Sequence, residues 1–252
     1  MGELITMPAS AELARIAVVS PHFDDAVQGT GYLLAGQPGT TVITVFGGRP
    51  PAYPEPPSEW DALGGFRSGD DVVALRREED AAALAVLGAE HVWLDFADHQ
   101  YLPPEARPSA ATISTELRAA LDADDPTAVF VPFGLGNPDH DATHQAARLL
   151  MDDRPGWSWF CYEDAGYCHL PGLLAWRVSS LFRAGRWPTP AIVPVELDPA
   201  RKRRALECYR SQLPPLRADH RLDERLAAPA PEQYWHVAPP PDGWEALVDV
   251  PG

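Results

Sequence analysis

Short apolar segments rich in β-branched residues alternate along the chain with longer segments whose apolar residues recur at helical spacing. The short segments predict buried strands, and the longer ones predict amphipathic helices. Regular alternation of the two is typical of a parallel sheet that carries helices on both faces. The pattern therefore predicts an α/β, Rossmann-like three-layer fold with a mostly parallel sheet flanked by helices, with strands at 15–19, 41–46, 91–96, 128–133, 157–162 and 191–197.

The clearest helix is predicted at 70–88, where Gly88 suits a C-terminal stop. Further helices are predicted directly after the first strand and at 114–123, 141–152 and 199–212. No linker divides the chain, so a single domain over residues 1–252 is expected.

Two proline-rich segments interrupt this alternation of strands and helices. The segment 47–60 predicts a long loop, because its prolines exclude regular helix and most strand pairing. This loop is either a rim or lid over a site, or a surface insertion. The C-terminal segment 213–252 is expected to be irregular and to be anchored by Tyr234 and Trp235.

Charge and cysteine content narrow the choice of partners and compartment. The 252 residues carry a formal charge of −16, from 20 basic and 36 acidic residues, which disfavours nucleic acid and anionic membranes as partners. The one dense basic run, 201–204, is interpreted as a solvated helix face. The three cysteines show no pairing pattern, and no apolar run reaches the length of a membrane span, so a cytoplasmic protein with reduced cysteines is expected. A homo-oligomer stays open.

Polar side chains follow three of the predicted strands, in "SPHFDDA" (20–26), "ADHQY" (97–101) and "GLGNPDHDATH" (134–144). In an open α/β sheet, ligands bind outside the carboxyl ends of the strands, where these segments converge. A catalytic zinc ion takes three His, Asp or Glu ligands and keeps one position open. His22, Asp25 and His140 would make such a set, and Asp24 would remain beside it as a general base.

Spacing leaves other interpretations open. His144 lies four residues after His140, and three roles are compatible with this spacing. It is either a further metal ligand, a residue that supports a ligand, or a residue on the helix surface. Asp24 or Asp25 could instead cap the following helix, and "NPDH" could form an Asn-Pro turn with Asp139 as the next cap.

Five segments, taken in order, resemble the motifs of one family. "SPHFDDAV" resembles the P-H-x-D-D signature of the PIG-L (LmbE-like) family of zinc-dependent N-acetylglucosaminyl deacetylases, and "NPDH" resembles its H-P-D-H motif. The other matches are "LRREEDAAALAVLG" (75–88), "DFADHQY" (95–101) and "KRRALECYRSQ" (202–212). Five ordered matches between residues 15 and 212 are far more specific than any one of them.

The resemblance implies hydrolysis of an N-acyl group, typically N-acetyl, on an amino sugar or a glycosylated small molecule. By the same resemblance, Zn²⁺ is bound by His22, Asp25 and His140, and Asp24 is the general base. Arg76 and Asp98 would contact sugar hydroxyls, although an ion pair of Arg76 with Asp80 and a turn role for Asp98 are the simpler alternatives. Asp139 would support the site as a partner of a metal-bound histidine, and Glu79 is interpreted as structural.

One departure from the family pattern bears on the reaction. Asn137 stands where the second motif usually begins with histidine, and an amide can donate a hydrogen bond but cannot release a proton. The acid would then be Asp24 itself, His144 or His169. Ala26 replaces a common Glu, which affects a supporting contact only.

Two other functions and one other metal stay open at this point. The chain could be an amidase acting on a non-sugar N-acyl conjugate, or a non-catalytic metal- or carbohydrate-binding relative. Fe²⁺ also suits two histidines and one carboxylate.

Overall fold

The computed structural model describes residues 7–9, 11–220, 222–227 and 230–244. Its central element is a seven-stranded sheet of order β3-β2-β1-β4-β5-β7-β6. Neighbours from β3 to β5 pair in parallel, whereas β7 runs antiparallel to both β5 and β6. The strands are β1 Ile16–Ser20, β2 Thr41–Thr44, β3 Glu90–Trp93, β4 Ala128–Pro132, β5 Ser158–Tyr162, β6 Trp187–Ala191 and β7 Tyr234–Ala238. The predicted α/β fold with a mostly parallel sheet is confirmed.

Helices flank the sheet on both faces. They are α1 Asp25–Gly36, α2 Glu59–Leu63, α3 Val72–Leu87, α4 Ala110–Asp124, α5 Pro138–Asp153, α6 Leu173–Arg183, α7 Pro199–Leu206, α8 Leu213–Asp219 and α9 Leu222–Ala227. Gly88 ends α3 in the left-handed conformation, with φ of 70°, as the sequence predicts.

Two apolar cores lie on opposite faces of the sheet. Val18 faces the core formed with α1, α3 and α7, and its neighbour Val19 faces the core formed with α4 and α5. Because β1 and β4 are buried on both faces, their sequences are continuous apolar runs without polar alternation.

The strand predicted at 191–197 is wrong, because the structure places β6 at Trp187–Ala191. Pro188 and Pro190 lie within this strand, which disfavours the segment by sequence. Both prolines are tolerated because β6 is the edge strand of the sheet. Backbone groups two residues apart in a strand point the same way, so both prolines lack an N–H on the same side of β6.

The expectation of an irregular segment at 213–252 is also wrong over much of its length. The segment forms α8, α9 and β7, and β7 lies between β5 and β6 as a full member of the sheet. Tyr234 is buried and Trp235 half-buried, in keeping with their predicted anchoring role. Residues 245–252 lie outside the described part, and the single domain stays a prediction.

The basic run 201–204 is not simply a solvated face. Arg201 donates to the carbonyls of Val86 and Ala35, and the Lys202 side chain is largely buried. Cys161, Cys168 and Cys208 are free, as expected. Within the described ranges, none of the helices combines the length and the apolarity needed to cross a membrane.

Asp80 of α3 is a fully buried carboxyl group that joins two other parts of the chain. It accepts hydrogen bonds from Trp93 Nε1 and from the Tyr209 hydroxyl, both at 2.7 Å. Burial raises the pKa of Asp80 to about 7, because these two donors do not offset the loss of solvent.

We expect Asp80 to make the protein less stable as pH rises. The unfolded chain releases this proton near its ordinary pKa and the folded chain only near 7, so the free energy of unfolding falls across that window and levels off above it. Asp80→Asn should remove the decline, so that its stability relative to the parent chain rises by about 2–3 kcal/mol between pH 5 and 8. Urea unfolding at several pH values measures this.

Glu78→Gln is the matched control, since Glu78 is an exposed carboxylate on the same helix. Its stability should follow that of the parent chain at every pH. Parallel curves for the Asp80 variant and the parent chain would contradict the assignment.

Candidate active site

The candidate site lies at the carboxyl ends of β1 and β4. These adjacent strands form the point where the strand order reverses, because the chain goes from β1 to β2 on one side and reaches β4 and β5 on the other. Ligand crevices of open α/β sheets form at such a point. A cavity of about 280 Å³ opens there, and its lining includes every predicted site residue except Asp139, His144 and the alternative acid His169.

Three of these residues direct ligand atoms to one point. Asp25 Oδ2 lies 3.2 Å from His22 Nδ1 and 3.1 Å from His140 Nε2. The three ligand atoms all lie within 4.8 Å of one another. Two imidazoles and one carboxylate are a donor set that suits a divalent metal such as zinc.

The remaining nitrogen of each histidine is paired with a further carboxylate. His22 Nε2 lies 3.0 Å from Asp139 Oδ2, and His140 Nδ1 lies 2.6 Å from Asp164 Oδ1. Carboxylates in this position fix the orientation of metal-binding imidazoles and make them better ligands. No sequence motif points to Asp164, although it follows β5 at the same sheet edge as the other site residues.

The electrostatics of the cluster favour a cation. Burial opposes protonation of His140, but Asp25 and Asp164 outweigh it and raise the pKa of His140 to about 9. Burial likewise opposes protonation of His22, and Asp139 and Asp25 hold its pKa well above the ordinary value. The carboxylates that stabilise protons on these rings would equally stabilise a divalent ion in their place. The residues present therefore fit a bound metal ion.

Asp24 stands beside this cluster without joining it. It occupies the N-cap position of α1, yet its side chain makes no capping hydrogen bond, so the capping alternative is wrong for Asp24. Its Oδ2 instead accepts a 2.6 Å hydrogen bond from Gln28 Nε2. Burial and the neighbouring Asp25 raise the pKa of Asp24 to about 6. Asp24 is therefore a buried carboxylate at the site with a pKa suited to proton transfer.

Asn137 begins α5 and faces the cavity. Its Oδ1 accepts from the Asp139 backbone N–H at 2.8 Å, so the amide nitrogen is left as the donor. The Asn137 side chain is also hydrogen-bonded to the hydroxyl of Tyr167, whose pKa burial raises to about 12. Tyr167 packs edge-on against the His140 ring at 5.3 Å. No motif in the sequence pointed to Tyr167.

The two histidines considered as acids lie away from the cavity. His144 is fully buried, its Nδ1 is bonded to the Pro132 carbonyl at 2.9 Å, and burial lowers its pKa to about 3. His169 is exposed and does not line the cavity. The expected roles of His144 as acid or metal ligand are therefore not supported by its position.

Arg76 and Asp98 line another part of the cavity. Arg76 Nη2 lies 2.8 Å from Asp61 Oδ1, so the alternative pairing with Asp80 is wrong. Within the part of the chain that the structure describes, the buried Nε of Arg76 has no hydrogen-bond partner. Asp98 caps the short 3₁₀ helix His99–Tyr101 and still borders the cavity, so its turn role and a ligand role are compatible.

The later motifs support the cavity wall. Glu79 accepts hydrogen bonds from the backbone and the hydroxyl of Ser211, in keeping with a structural role. Trp60 Nε1 donates to Gln212 Oε1 at 2.7 Å. Trp60 and Gly48 come from the proline-rich segment and line the cavity, which favours a rim over a surface insertion.

The fold that carries this candidate site is that of a de-N-acetylase of the PIG-L class. The family model described as "PIG-L: GlcNAc-PI de-N-acetylase" matches residues 17–151, more than half of the chain, and the chain therefore belongs to this family. The predictions of family membership and of an N-deacetylase are thereby confirmed.

Solved structures of deacetylases are similar over almost the whole chain. The A40926 pseudoaglycone deacetylase Dbv21 is 30% identical, with a TM-score of 0.73 over 90% of this chain and 98% of that one. The zinc-inhibited form of teicoplanin deacetylase Orf2 is 26% identical, with a TM-score of 0.71 over 91% and 100%. A deacetylase–teicoplanin complex is 28% identical, with a TM-score of 0.69 over 90% and 100%. No curated protein sequence matches the chain.

We expect Asp164 to control metal affinity through His140. Asp164→Ala removes the carboxylate that orients the imidazole and should weaken Zn²⁺ or Co²⁺ binding by about 10–100-fold. Competition with a chromophoric chelator measures the affinity. Glu163→Ala is the matched control, because Glu163 is adjacent but bonds Trp235 Nε1 on another part of the fold. Equal affinities of the two variants would argue against the role of Asp164.

Proposed function

We propose that this protein is a zinc-dependent hydrolase that removes an N-acyl group, most simply N-acetyl, from an amino sugar on a glycosylated small molecule. The observation that carries the proposal is the convergence of His22, Asp25 and His140 next to a separate buried carboxylate, Asp24. The similar solved structures, a pseudoaglycone deacetylase and a deacetylase bound to teicoplanin, support a glycosylated substrate. The same proposal includes a single-domain cytoplasmic enzyme without a nucleic-acid or membrane partner.

The site divides the work of amide hydrolysis between its residues. Zn²⁺ held by His22, Asp25 and His140 would supply the Lewis acidity of metal-assisted hydrolysis. Asp24 takes the proton of the attacking water, because it is a buried carboxylate next to the cluster that does not belong to the ligand set. Asn137 donates from its amide nitrogen to the oxygen that becomes negative.

The departing amine requires a proton that Asn137 cannot supply. His144 and His169 do not line the cavity, so we assign this step to Asp24. Asp24 returns the proton it took from water to the amine nitrogen as the carbon–nitrogen bond breaks. One amide and one water thus become one amine and one carboxylic acid, and Asp24 is regenerated.

The size and lining of the cavity suit one sugar ring with its acyl group. At about 280 Å³ it lies near the lower end of small-molecule pockets, so most of a large glycoconjugate would remain outside. Arg76 and Asp98 offer a donor and an acceptor for ring hydroxyls, and Trp60 and Phe46 offer apolar faces for the sugar ring. A non-sugar N-acyl conjugate is the alternative that a substrate panel separates.

A second candidate follows from Asn137, since a site without a histidine acid is compatible with a metal- or carbohydrate-binding relative. Asp24 argues against it, because a binding protein has no need of a buried base that neither caps its helix nor completes the metal ligands. Release of primary amine from a panel of N-acetyl sugars, N-acetylated glycopeptides and non-sugar N-acyl amides separates the candidates, with fluorescamine as the probe. Zinc bound at one equivalent with no amine from any compound would favour the binding protein.

We expect Asp24→Asn to separate metal binding from turnover. The variant keeps His22, Asp25 and His140 and should retain one equivalent of zinc, whereas loss of the base should lower kcat by about 10²–10⁴-fold. Metal analysis of the purified variant and amine release measure the two quantities. Unchanged kcat would exclude Asp24 as the base, and loss of zinc would make it a ligand.

We expect Asn137→Ala and Asn137→Ser to separate oxyanion binding from helix capping. Both remove the amide donor, so both should lower kcat by about 10²-fold. Serine still caps the start of α5, whereas alanine should cost about 1 kcal/mol of stability. Steady-state kinetics and urea unfolding measure both effects. If the serine variant turned over at the parent rate, Asn137 would act on the helix alone.

A further inference from the structure

Helix α1 is broken in its middle, five residues after its first residue, Asp25. Thr30 has φ of −136° and ψ of 18°, which is not helical, and its hydroxyl donates to the Ala26 carbonyl at 2.7 Å. A side chain that bonds back to the preceding turn bends a helix and competes with its backbone ladder. The break creates two new helix ends inside the protein, and their unpaired N–H and C=O groups need partners.

One buried ion pair supplies partners at both ends. Glu232 accepts from the backbone N–H groups of Tyr32 and Leu33, at 2.9 and 3.3 Å, and so lies where the second half of the helix begins. Lys202 Nζ donates to the Gln28 carbonyl at 2.7 Å, where the first half ends. An anion at a helix start and a cation at a helix end are the favourable placements.

The two side chains also pair with each other and are well enclosed. Lys202 Nζ lies 2.6 Å from Glu232 Oε1, and the side chains are 13% and 5% exposed. Lys202 also lies 4.6 Å from the centre of the Tyr32 ring. A Cβ on Gly31 would approach the Lys202 side chain to 2.9 Å, so a larger residue at this position would require the lysine to shift. Lys202 is the only lysine of the chain, among 20 basic residues.

The break is directly connected to the base. Gln28, whose carbonyl Lys202 holds, donates its side-chain amide to Asp24 Oδ2 at 2.6 Å and is itself buried. The Asp24 side chain makes no capping bond, and the short hydrogen bond from Gln28 helps to orient its carboxylate. The position of Gln28 depends in turn on where the first half of α1 ends.

A buried ion pair is not by itself a source of stability, since apolar replacements are often neutral. What this pair contributes here is its three hydrogen bonds to backbone groups at the break. We propose that Lys202 and Glu232 are positioning residues: they clamp the break in α1 and thereby hold Gln28 against Asp24. The role of Asp24 as the base comes from the proposed function, and the effect on catalysis rests on it. The clamp of the helix break by Lys202 and Glu232 does not rest on it.

The experiment compares Lys202→Met, Gln28→Ala, their combination and Arg201→Met, each loaded with zinc. Arg201 is the matched control because it is the preceding residue on α7 and also bonds a carbonyl of α1, that of Ala35, away from the break. Steady-state amine release is measured below the melting temperature of every variant, with the panel compound that the parent enzyme cleaves fastest. Hydrogen exchange of the peptide containing Tyr32 and Leu33 gives a readout that does not depend on activity.

Lys202→Met should lower kcat about 10-fold or more, with KM and bound zinc within about twofold, because a displaced base loses alignment with the reacting atoms. Exchange at Tyr32 and Leu33 should become faster. The combined variant should be no slower than Gln28→Ala alone, since both act through one contact. Arg201→Met should leave kcat and the exchange of these amides within about twofold.

The proposal would be overturned if Lys202→Met kept the kcat of the parent enzyme, or if Lys202→Met and Arg201→Met lowered kcat equally. The ion pair would then only stabilise the fold. Multiplying effects in the combined variant would also overturn it, because Lys202 would then act independently of Gln28. If the parent protein released no amine from any compound, the proposed function would fail. Hydrogen exchange at Tyr32 and Leu33 would then test the clamp by itself: faster exchange in Lys202→Met would support it, and unchanged exchange would overturn it.

Discussion

The parallel pairing of β1 with β4 is the constraint on which the site depends. Segments that are distant in the sequence leave the sheet at the same edge because residues 16–18 are in register with residues 128–130. The connections then turn to opposite sides of the sheet, which leaves a crevice between them. Two contacts that cross this crevice, Asp25 with His140 and His22 with Asp139, depend on that register.

Buried negative charge is the second theme of the site. Carboxylates outnumber imidazoles in the cluster, and a buried charge is costly unless it is paired. A cation bound between the two imidazole rings would pair with these carboxylates and would also supply the Lewis acidity that amide hydrolysis needs. An acidic cleft in a protein of charge −16 does not attract anionic substrates, so a neutral amide on a sugar is the kind of molecule that fits.

The central strands and the residues of the His/Asp cluster each leave a local signal in the sequence. β1 and β4 are apolar runs buried on both faces, and the His and Asp residues follow them directly. β6 and β7 were not predicted from the sequence. An edge strand tolerates prolines, and antiparallel strands can mix polar and apolar residues, so neither strand forms an apolar run. Tyr167 and Asp164 lie in a loop with no motif, and the role of Lys202 depends on a helix break that charge pattern cannot reveal.

Asn137 links the start of a helix to the composition of the active site. It caps α5, and α5 carries His140, so the residue that lacks a transferable proton also sets the position of one ring of the His/Asp cluster. Histidine, which the family motif has there, is not among the preferred N-cap residues. Asn137 therefore gives α5 a preferred cap but offers no transferable proton, and histidine at this position would supply the proton with a less stable start to α5.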